Sequence, residues 1–578
     1  MDRELLLEFR DFGFQYNAQA KPTLYNIDLK LHRGERILIA GPSGCGKSTL
    51  VHCINGLIPF SYRGEMTGSL TIKGRETKDL SLFDISHTVG TVLQDSDAQF
   101  VGMTVAEDIA FALENDCVGE PTLHDRVKEV AAMVDIDGYL THAPGELSGG
   151  QKQRVSVAGV LVDDVDILIF DEPLANLDPA TGKQAIELID KMQKETGATV
   201  IIVEHRLEDV LHRPVDRIVL MEKGRIRADV TPDELIAGDL LAECGIREPL
   251  YITALKYAGV KITPDMHPSS LTELTIDDAD RAKVNEWYRS GVPAGTGEQR
   301  EELLKAEALT FTYQGNERKT LDDISVSVRS GEMTAIVGTN GAGKSTFSKV
   351  ICGFETQDEG RIMLSGEDIK DLSIKERAEH IGYVMQNPNQ MISKVLIYDE
   401  VALGLRNRGV SEEEIARKVD DALKICGLWK MRKWPISALS YGQKKRVTIA
   451  SILVLDPEII ILDEPTAGQD YRHYTEIMEF LSELNARGIT VLMITHDMHL
   501  MLEYADRAIV FSDGKVIADD KCYNILTDSD IIARASLKET SLYDLAVKCG
   551  ITDGADFVRH FIDHERQNVR IGREAVYD

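Results

Sequence analysis

No stretch of the 578 residues approaches the roughly 18 consecutive apolar positions that a membrane-spanning helix needs, so the sequence predicts no span of its own. The opening MDRELLLEFR lacks the apolar core of a secretory leader, and none is expected. No CxxC pair occurs. The eight cysteines, Cys45, Cys53, Cys117, Cys244, Cys352, Cys426, Cys522 and Cys549, stand apart, which argues against a disulfide framework or a zinc cluster and fits a reducing compartment. Positive charge is also short. Lys and Arg number 65 against 95 Asp and Glu, a net charge of −30. A phosphate backbone needs a broad basic face, so no nucleic-acid partner is expected. The apolar and charged fractions, 43% and 28%, are those of a globular chain, and its length is too great for one core.

What the chain has in plenty is itself. GPSGCGKST at 41–49 returns as GTNGAGKST at 338–346, and LSGGQKQRV at 147–155 returns as LSYGQKKRV at 439–447. Gln94 and Gln386, Ser148 and Ser440, and Glu172 and Glu464 share one spacing of 292 positions. His205 and His496 follow the same order. The repeat extends beyond these motifs, because PLYITALKYAGV and SLYDLAVKCGI place Tyr251 and Tyr543, and Lys256 and Lys548, at that spacing again. Both segments read as short amphipathic helices that either close each core or dock between the halves. Between the copies, roughly 261–304, Pro, Gly and Ser accumulate, which reads as a linker with a short helix near DDADRAKVNEWYRS.

Each glycine loop follows an apolar strand (RILIA in the first copy) and opens a helix, the context in which backbone N–H groups and the helix dipole cradle phosphate. The candidate phosphate-binding residues are Gly41, Pro42, Ser43, Gly44, Cys45, Gly46, Lys47, Ser48 and Thr49. Their counterparts are Gly338, Thr339, Asn340, Gly341, Ala342, Gly343, Lys344, Ser345 and Thr346. Lys47 would reach the β- and γ-phosphates, and the Ser48 hydroxyl would ligate Mg²⁺. DILIFDEP and EIIILDEP end apolar strands in acid pairs, at the strand end where parallel sheets bind ligands. Asp171 would hold the Mg²⁺ shell and Glu172 would take a proton from, or orient, an attacking water; Asp463 and Glu464 repeat them.

The order of phosphate loop, Gln94, LSGGQ, FDEP, NLD and His205, written twice, resembles the nucleotide-binding domain of ATP-binding cassette (ABC) proteins over nearly the whole chain. The resemblance implies an α/β fold. Two P-loop NTPase domains are expected, each with a parallel-sheet core, an antiparallel β-subdomain and a helical subdomain bearing the signature. The expected boundaries are ABC ATPase domains at 1–245 and 305–530, an accessory helix and linker at 246–304, and C-terminal accessory helices at 531–578. It implies ATP and Mg²⁺ as ligands, with Ser48, Gln94 and Asp171, and Ser345, Gln386 and Asp463, on the metal. Tyr16 and Tyr313 match the aromatic that stacks on adenine. Gln94 and Gln386 match the glutamine that senses the metal and contacts a membrane partner. Asp178 and Asp470 match the loop that bridges the domains, and His205 and His496 the histidine at the γ-phosphate. The family pairs its domains head to tail. Lys47 and Glu172 are then expected to face Ser440, Tyr441, Gly442 and Gln443, and Lys344 and Glu464 to face Ser148, Gly149, Gly150 and Gln151. Tyr441 departs from the glycine of the first copy, and two competent but unequal sites are expected.

The text around Gln94 and Gln386, with NGLIP and LSYGQKKRVTIASIL, looks like the ATPases of energy-coupling factor importers, which include the cobalt and nickel types. That likeness implies a peripheral motor on the cytoplasmic face of the cell membrane. It would be paired with an integral coupling protein and a small substrate-binding membrane protein, for uptake of a vitamin, a vitamin precursor or a transition metal ion. QNPNQM is shorter than the usual form of its motif, which leaves the partner contact of the second half open. Two alternatives stand beside this reading: a ribosome-associated tandem ABC ATPase acting in translation, and a tandem sugar-importer ATPase. The linker has no basic run, against the first, and both halves keep their catalytic residues, against the second.

Overall fold

The computed structural model describes residues 3–94, 98–175, 177–291, 300–315, 317–466, 469 and 471–577, with side chains to 567. The chain forms two compact units, the first running to Val284 and the second beginning at Asn285.

In the first unit β1 (Leu5–Tyr16), β2 (Leu24–His32), β4 (Gly64–Ile72) and β5 (Arg75–Glu76) make an antiparallel sheet in the order β2-β1-β4-β5. A second sheet runs β10-β9-β3-β8-β7-β6, from β3 (Arg36–Ala40), β6 (Val89–Val92), β7 (Ile167–Asp171), β8 (Thr199–Val203), β9 (Arg217–Glu222) and β10 (Arg225–Val230). Strands β3, β6, β7, β8 and β9 are parallel, and β10 closes the edge as an antiparallel hairpin. RILIA and TVIIV are buried at every position: after Arg36, which pairs with Asp190 at 2.7 Å, and Thr199, the residues are all apolar, as strands covered on both faces require. Three helices, Val105–Asn115, Thr122–Met133 and Gly149–Leu161, form the helical subdomain.

The second unit repeats the plan. Strands β11 (Glu302–Phe311), β12 (Leu321–Arg329), β14 (Glu359–Leu364) and β15 (Glu367–Asp368) give the order β12-β11-β14-β15. Strands β13 (Met333–Gly338), β16 (Ile381–Val384), β17 (Ile459–Asp463), β18 (Thr490–Ile494), β19 (Arg507–Ser512) and β20 (Lys515–Asp520) give β16-β17-β18-β13-β19-β20. Even an internal ion pair is duplicated: Arg217 Nε lies 2.8 Å from Glu35 Oε1 and Arg507 Nε 2.9 Å from Glu332 Oε1, each on the strand beside the phosphate-loop strand. The helical subdomain is again three helices, Ile397–Asn407, Glu412–Ile425 and Tyr441–Leu453.

The repeated accessory segments are helices, Leu250–Tyr257 and Ser541–Lys548. Tyr251 is buried and its hydroxyl donates to Pro268 O at 2.7 Å, within its own unit. Tyr543 lies against the start of the helix Gly554–Tyr577, so close that a Cβ on Gly554 would fall 2.4 Å from its ring. The composition of 261–276 reads as linker, yet this stretch folds onto the first unit. Ile262, Leu274 and Ile276 are buried, and Ser269 N donates to Asp233 Oδ1 at 2.9 Å. Three apolar residues among the helix breakers suffice to dock it. The helix expected near DDADRAKVNEWYRS spans Asp278–Arg289; most of the Gly- and Pro-rich text after it lies outside the described residues.

Candidate active site

Each phosphate loop leaves the C-terminal end of the strand at the heart of its parallel sheet. Gly41 sits at φ 155° and Gly338 at φ 136°. A Cβ on Gly41 would fall 2.4 Å from Met221 O, and one on Gly338 would fall 1.8 Å from Phe511 O, so only glycine fits where the loop turns over the neighbouring strand. The helices Lys47–Ile54 and Lys344–Cys352 begin directly after the loops, with their first N–H groups aimed into the turn. Lys47 Nζ donates to Gly41 O at 2.7 Å and Pro42 O at 3.2 Å; Lys344 Nζ donates to Gly338 O at 2.9 Å and Thr339 O at 2.8 Å. Both ammonium groups are thus buried inside the loops.

Strand β7 delivers Asp171 and Glu172, and β17 delivers Asp463 and Glu464, to the same edge. Both glutamates adopt left-handed backbone conformations, φ 49° at Glu172 and φ 45° at Glu464, fixed by Glu172 N donating to Val203 O at 2.9 Å and Glu464 N to Ile494 O at 3.0 Å. Side chains rarely tolerate this region, and such strain concentrates at working sites. Burial, then the charges of Glu204 and Asp171, push the Glu172 carboxyl up to about 7. Burial, then Asp463, push Glu464 up to about 8. Carboxyls so raised can take a proton near neutral pH.

The remaining residues divide by half. Gln94 Nε2 donates to Glu172 Oε2 at 2.8 Å, joining the glutamine loop to the candidate base. In the second half His496 Nε2 stands 3.4 Å from Glu464 Oε1, whereas His205 Nδ1 stands 3.2 Å from Glu204 Oε1. Tyr16 and Tyr313 hydrogen-bond Thr49 and Thr346 at 3.1 and 3.3 Å, beside the loops they were expected to serve. Asp178 caps the helix Pro179–Thr196, its Oδ1 accepting from Thr181 N at 2.9 Å; Asp470 lies outside the described residues. In the signatures, Ser148 N donates to Gln151 Oε1 at 2.8 Å and Ser440 N to Gln443 Oε1 at 3.0 Å. Each pair is a capping box that starts the signature helix. Gly150 is tight, since a Cβ there would meet Thr181 Cγ2 at 2.7 Å. Tyr441 turns its hydroxyl to Gln386 O at 3.1 Å, across its own half.

Three residues escaped the sequence reading. Glu204 is 1% exposed beside Glu172, with Oε2 lacking a hydrogen-bond partner among the described residues. Tyr383 donates its hydroxyl to Asp463 Oδ2 at 2.9 Å. Lys445 is fully buried, and burial pulls its ammonium down to about 8. Reading the copies against each other carried the signal for all three: Glu204 aligns with Thr495, Lys445 with Gln153 and Tyr383 with Thr91.

Two glycine loops on parallel strand ends, each with a buried lysine, an acid pair and a glutamine, define a tandem P-loop ATPase. The family model described as "ABC transporter" matches residues 24–175 and 321–467, and one described as "ATP-binding cassette cobalt transporter" matches 238–311. A protein of Clostridium perfringens (strain 13 / Type A), provisionally named an ABC transporter ATP-binding protein, is 58% identical over 566 residues, 98% of this chain and 99% of that one. One of Enterococcus faecalis (strain ATCC 700802 / V583), named likewise, is 55% identical over 569 residues, 98% and 99% of the two chains. A solved structure of cbiO1 from Clostridium perfringens, described as part of the ABC transporter complex cbiONQ, is 37% identical over 40% of this chain and 94% of that one, with a TM-score of 0.38. The chain belongs to the ABC transporter ATP-binding family: it binds ATP in two ABC ATPase domains whose hydrolysis is coupled to transport.

Proposed function

We propose that the chain is the ATP-hydrolysing motor of an energy-coupling factor type importer, taking up a vitamin, a vitamin precursor or a transition metal ion. The observation that carries this reading is the match of 238–311, between the two ATPase regions, to the model described as "ATP-binding cassette cobalt transporter". Among the described residues no helix is long and apolar enough to cross a membrane, so the reading requires membrane partners: an integral coupling protein and a small substrate-binding protein. Apolar side chains stand out in solvent near both glutamine loops, Met103 at 83% and Val395 at 74% exposure, which suits docking at the cytoplasmic face.

In this mechanism the loops hold the phosphates through backbone N–H groups, and Lys47 and Lys344 leave their carbonyls to meet the β- and γ-phosphates. The donor set suits Mg²⁺: a hydroxyl, a half-buried carboxylate and a glutamine in each half, Ser48, Asp171 and Gln94, and Ser345, Asp463 and Gln386. The ion would neutralise charge on the phosphate oxygens. Glu172 and Glu464 accept the proton of the attacking water. His205 and His496 stand at adjacent strand ends to meet the γ-phosphate, and Tyr16 and Tyr313 stack on adenine. The halves work as a head-to-tail pair, the signature of each, with Asp178 or Asp470 between, completing the site of the other. Closure is driven by the higher affinity of ATP for the closed state.

The test is a pull-down of the tagged Glu172→Gln/Glu464→Gln chain, with ATP, from detergent-solubilised membranes of its own cell. Recovery of two integral membrane proteins in stoichiometric amounts is expected. Recovery of ribosomal proteins instead would overturn the transport reading.

A further inference from the structure

The two signature helices hold their surroundings differently. In the second half the helix Tyr441–Leu453 turns one face, positions 441, 444 and 445, onto the loop that follows β16. Tyr441 OH donates to Gln386 O at 3.1 Å. Lys445 Nζ donates to Gln386 O at 2.9 Å and to Met385 O at 2.8 Å, and Lys444 Nζ reaches Asn389 Oδ1 at 3.2 Å. Gln386 O therefore has both lone pairs engaged, one of them by a fully buried cation. Its peptide cannot rotate without breaking two hydrogen bonds at once. In the first half Gly149 has no side chain to reach across, and Gln153 Nε2 donates to Pro173 O at 2.8 Å, behind Glu172.

We propose that Tyr441 and Lys445 are positioning residues that lock the Gln386 loop to the signature helix, so that these two parts of the second half move as one piece. The functional consequence rests on the motor reading above. A displacement of the Gln386 loop, the expected contact for a membrane partner, is passed directly to Ser440 and Gly442 at the N-terminus of that helix. The first half has Gly149 and Gln153 at these two positions, and among the described residues its loop is tied through the Gln94 side chain to Glu172.

Hydrogen exchange by mass spectrometry on the full chain tests the lock without reference to activity. Tyr441→Phe removes the hydroxyl and keeps the ring; Lys445→Gln installs the residue of the first half. Each is expected to speed exchange about tenfold in the peptide spanning 385–391, with the peptide around Gln94 unchanged. Lys445→Arg, which keeps charged donors, is expected to restore protection. Unchanged exchange in both variants, or equal acceleration in the two glutamine loops, overturns the proposal. ATPase assays give the second readout. Lys445→Gln is expected to lower kcat about tenfold in a Glu464→Gln background, where the live site is the one that Ser440 and Gly442 complete, with KM for ATP little changed, and to lower it less in a Glu172→Gln background. Equal losses in the two backgrounds also overturn it. If the wild-type chain hydrolyses no ATP even with its membrane partners, the motor reading fails while the exchange result still decides the lock.

Discussion

Glu464 carries a proton in the folded protein at pH values where the unfolded chain has released it, since its ordinary value of 4.5 is raised to about 8. A carboxyl raised in this way supports the folded state below about pH 4.5, and that support is lost as the pH climbs to about 8. The amide of Glu464→Gln has no proton to lose. In the absence of nucleotide, thermal melts of Glu464→Gln are expected to exceed wild type by roughly 2 °C or more at pH 9, and by much less at pH 5. The same variant is expected to lose hydrolysis at its own site. Glu172, raised to about 7, follows the same sign over a lower window. Glu204 was not legible in advance. A glutamate after TVIIV reads as one more acid at a strand end, and only the fold brings it, 1% exposed, against Glu172.

At the scale of elements, most of the site could be read from the chain, because each motif is a local arrangement of strand, turn and helix. The phosphate loops, the acid pairs and the two accessory helices fall where the apolar runs and glycines place them. The capping boxes are legible as well, for Ser148 and Gln151 stand at the spacing that defines one. What the text hid was contact between elements: Tyr441 and Lys445 meet Met385 and Gln386 roughly 55 to 60 positions away, which no periodicity announces. The docked stretch 261–276 was hidden for the same reason. Its hold on the first unit can be measured. Tyr251→Phe removes the bond to Pro268 and is expected to cost about 1 kcal/mol in denaturant unfolding of the first unit, leaving the second unchanged.

For the whole molecule the duplication sets up a comparison inside one chain. The halves share sheets, loops and acid pairs, yet differ at Glu204 and Thr495, Gln153 and Lys445, and Gly149 and Tyr441. Each difference touches the acid pair, the glutamine loop or the signature helix, so the two sites should not turn over alike. Steady-state ATPase of Glu172→Gln and Glu464→Gln, assayed with membrane partners, is expected to differ by about tenfold or more. Equal residual rates would make the differences neutral.

The left-handed backbone at Glu172 and Glu464 has a consequence for anyone engineering this protein. At φ near 45–50° a glycine or an asparagine would relieve about 1 kcal/mol of strain, and each replacement would also remove a buried acid. A selection for heat resistance alone would therefore favour replacing both glutamates early, and would enrich variants that fold better and are expected to hydrolyse no ATP. Any such selection needs a transport or ATPase gate at every round, because at these two positions durability and the proposed catalysis pull the backbone in opposite directions.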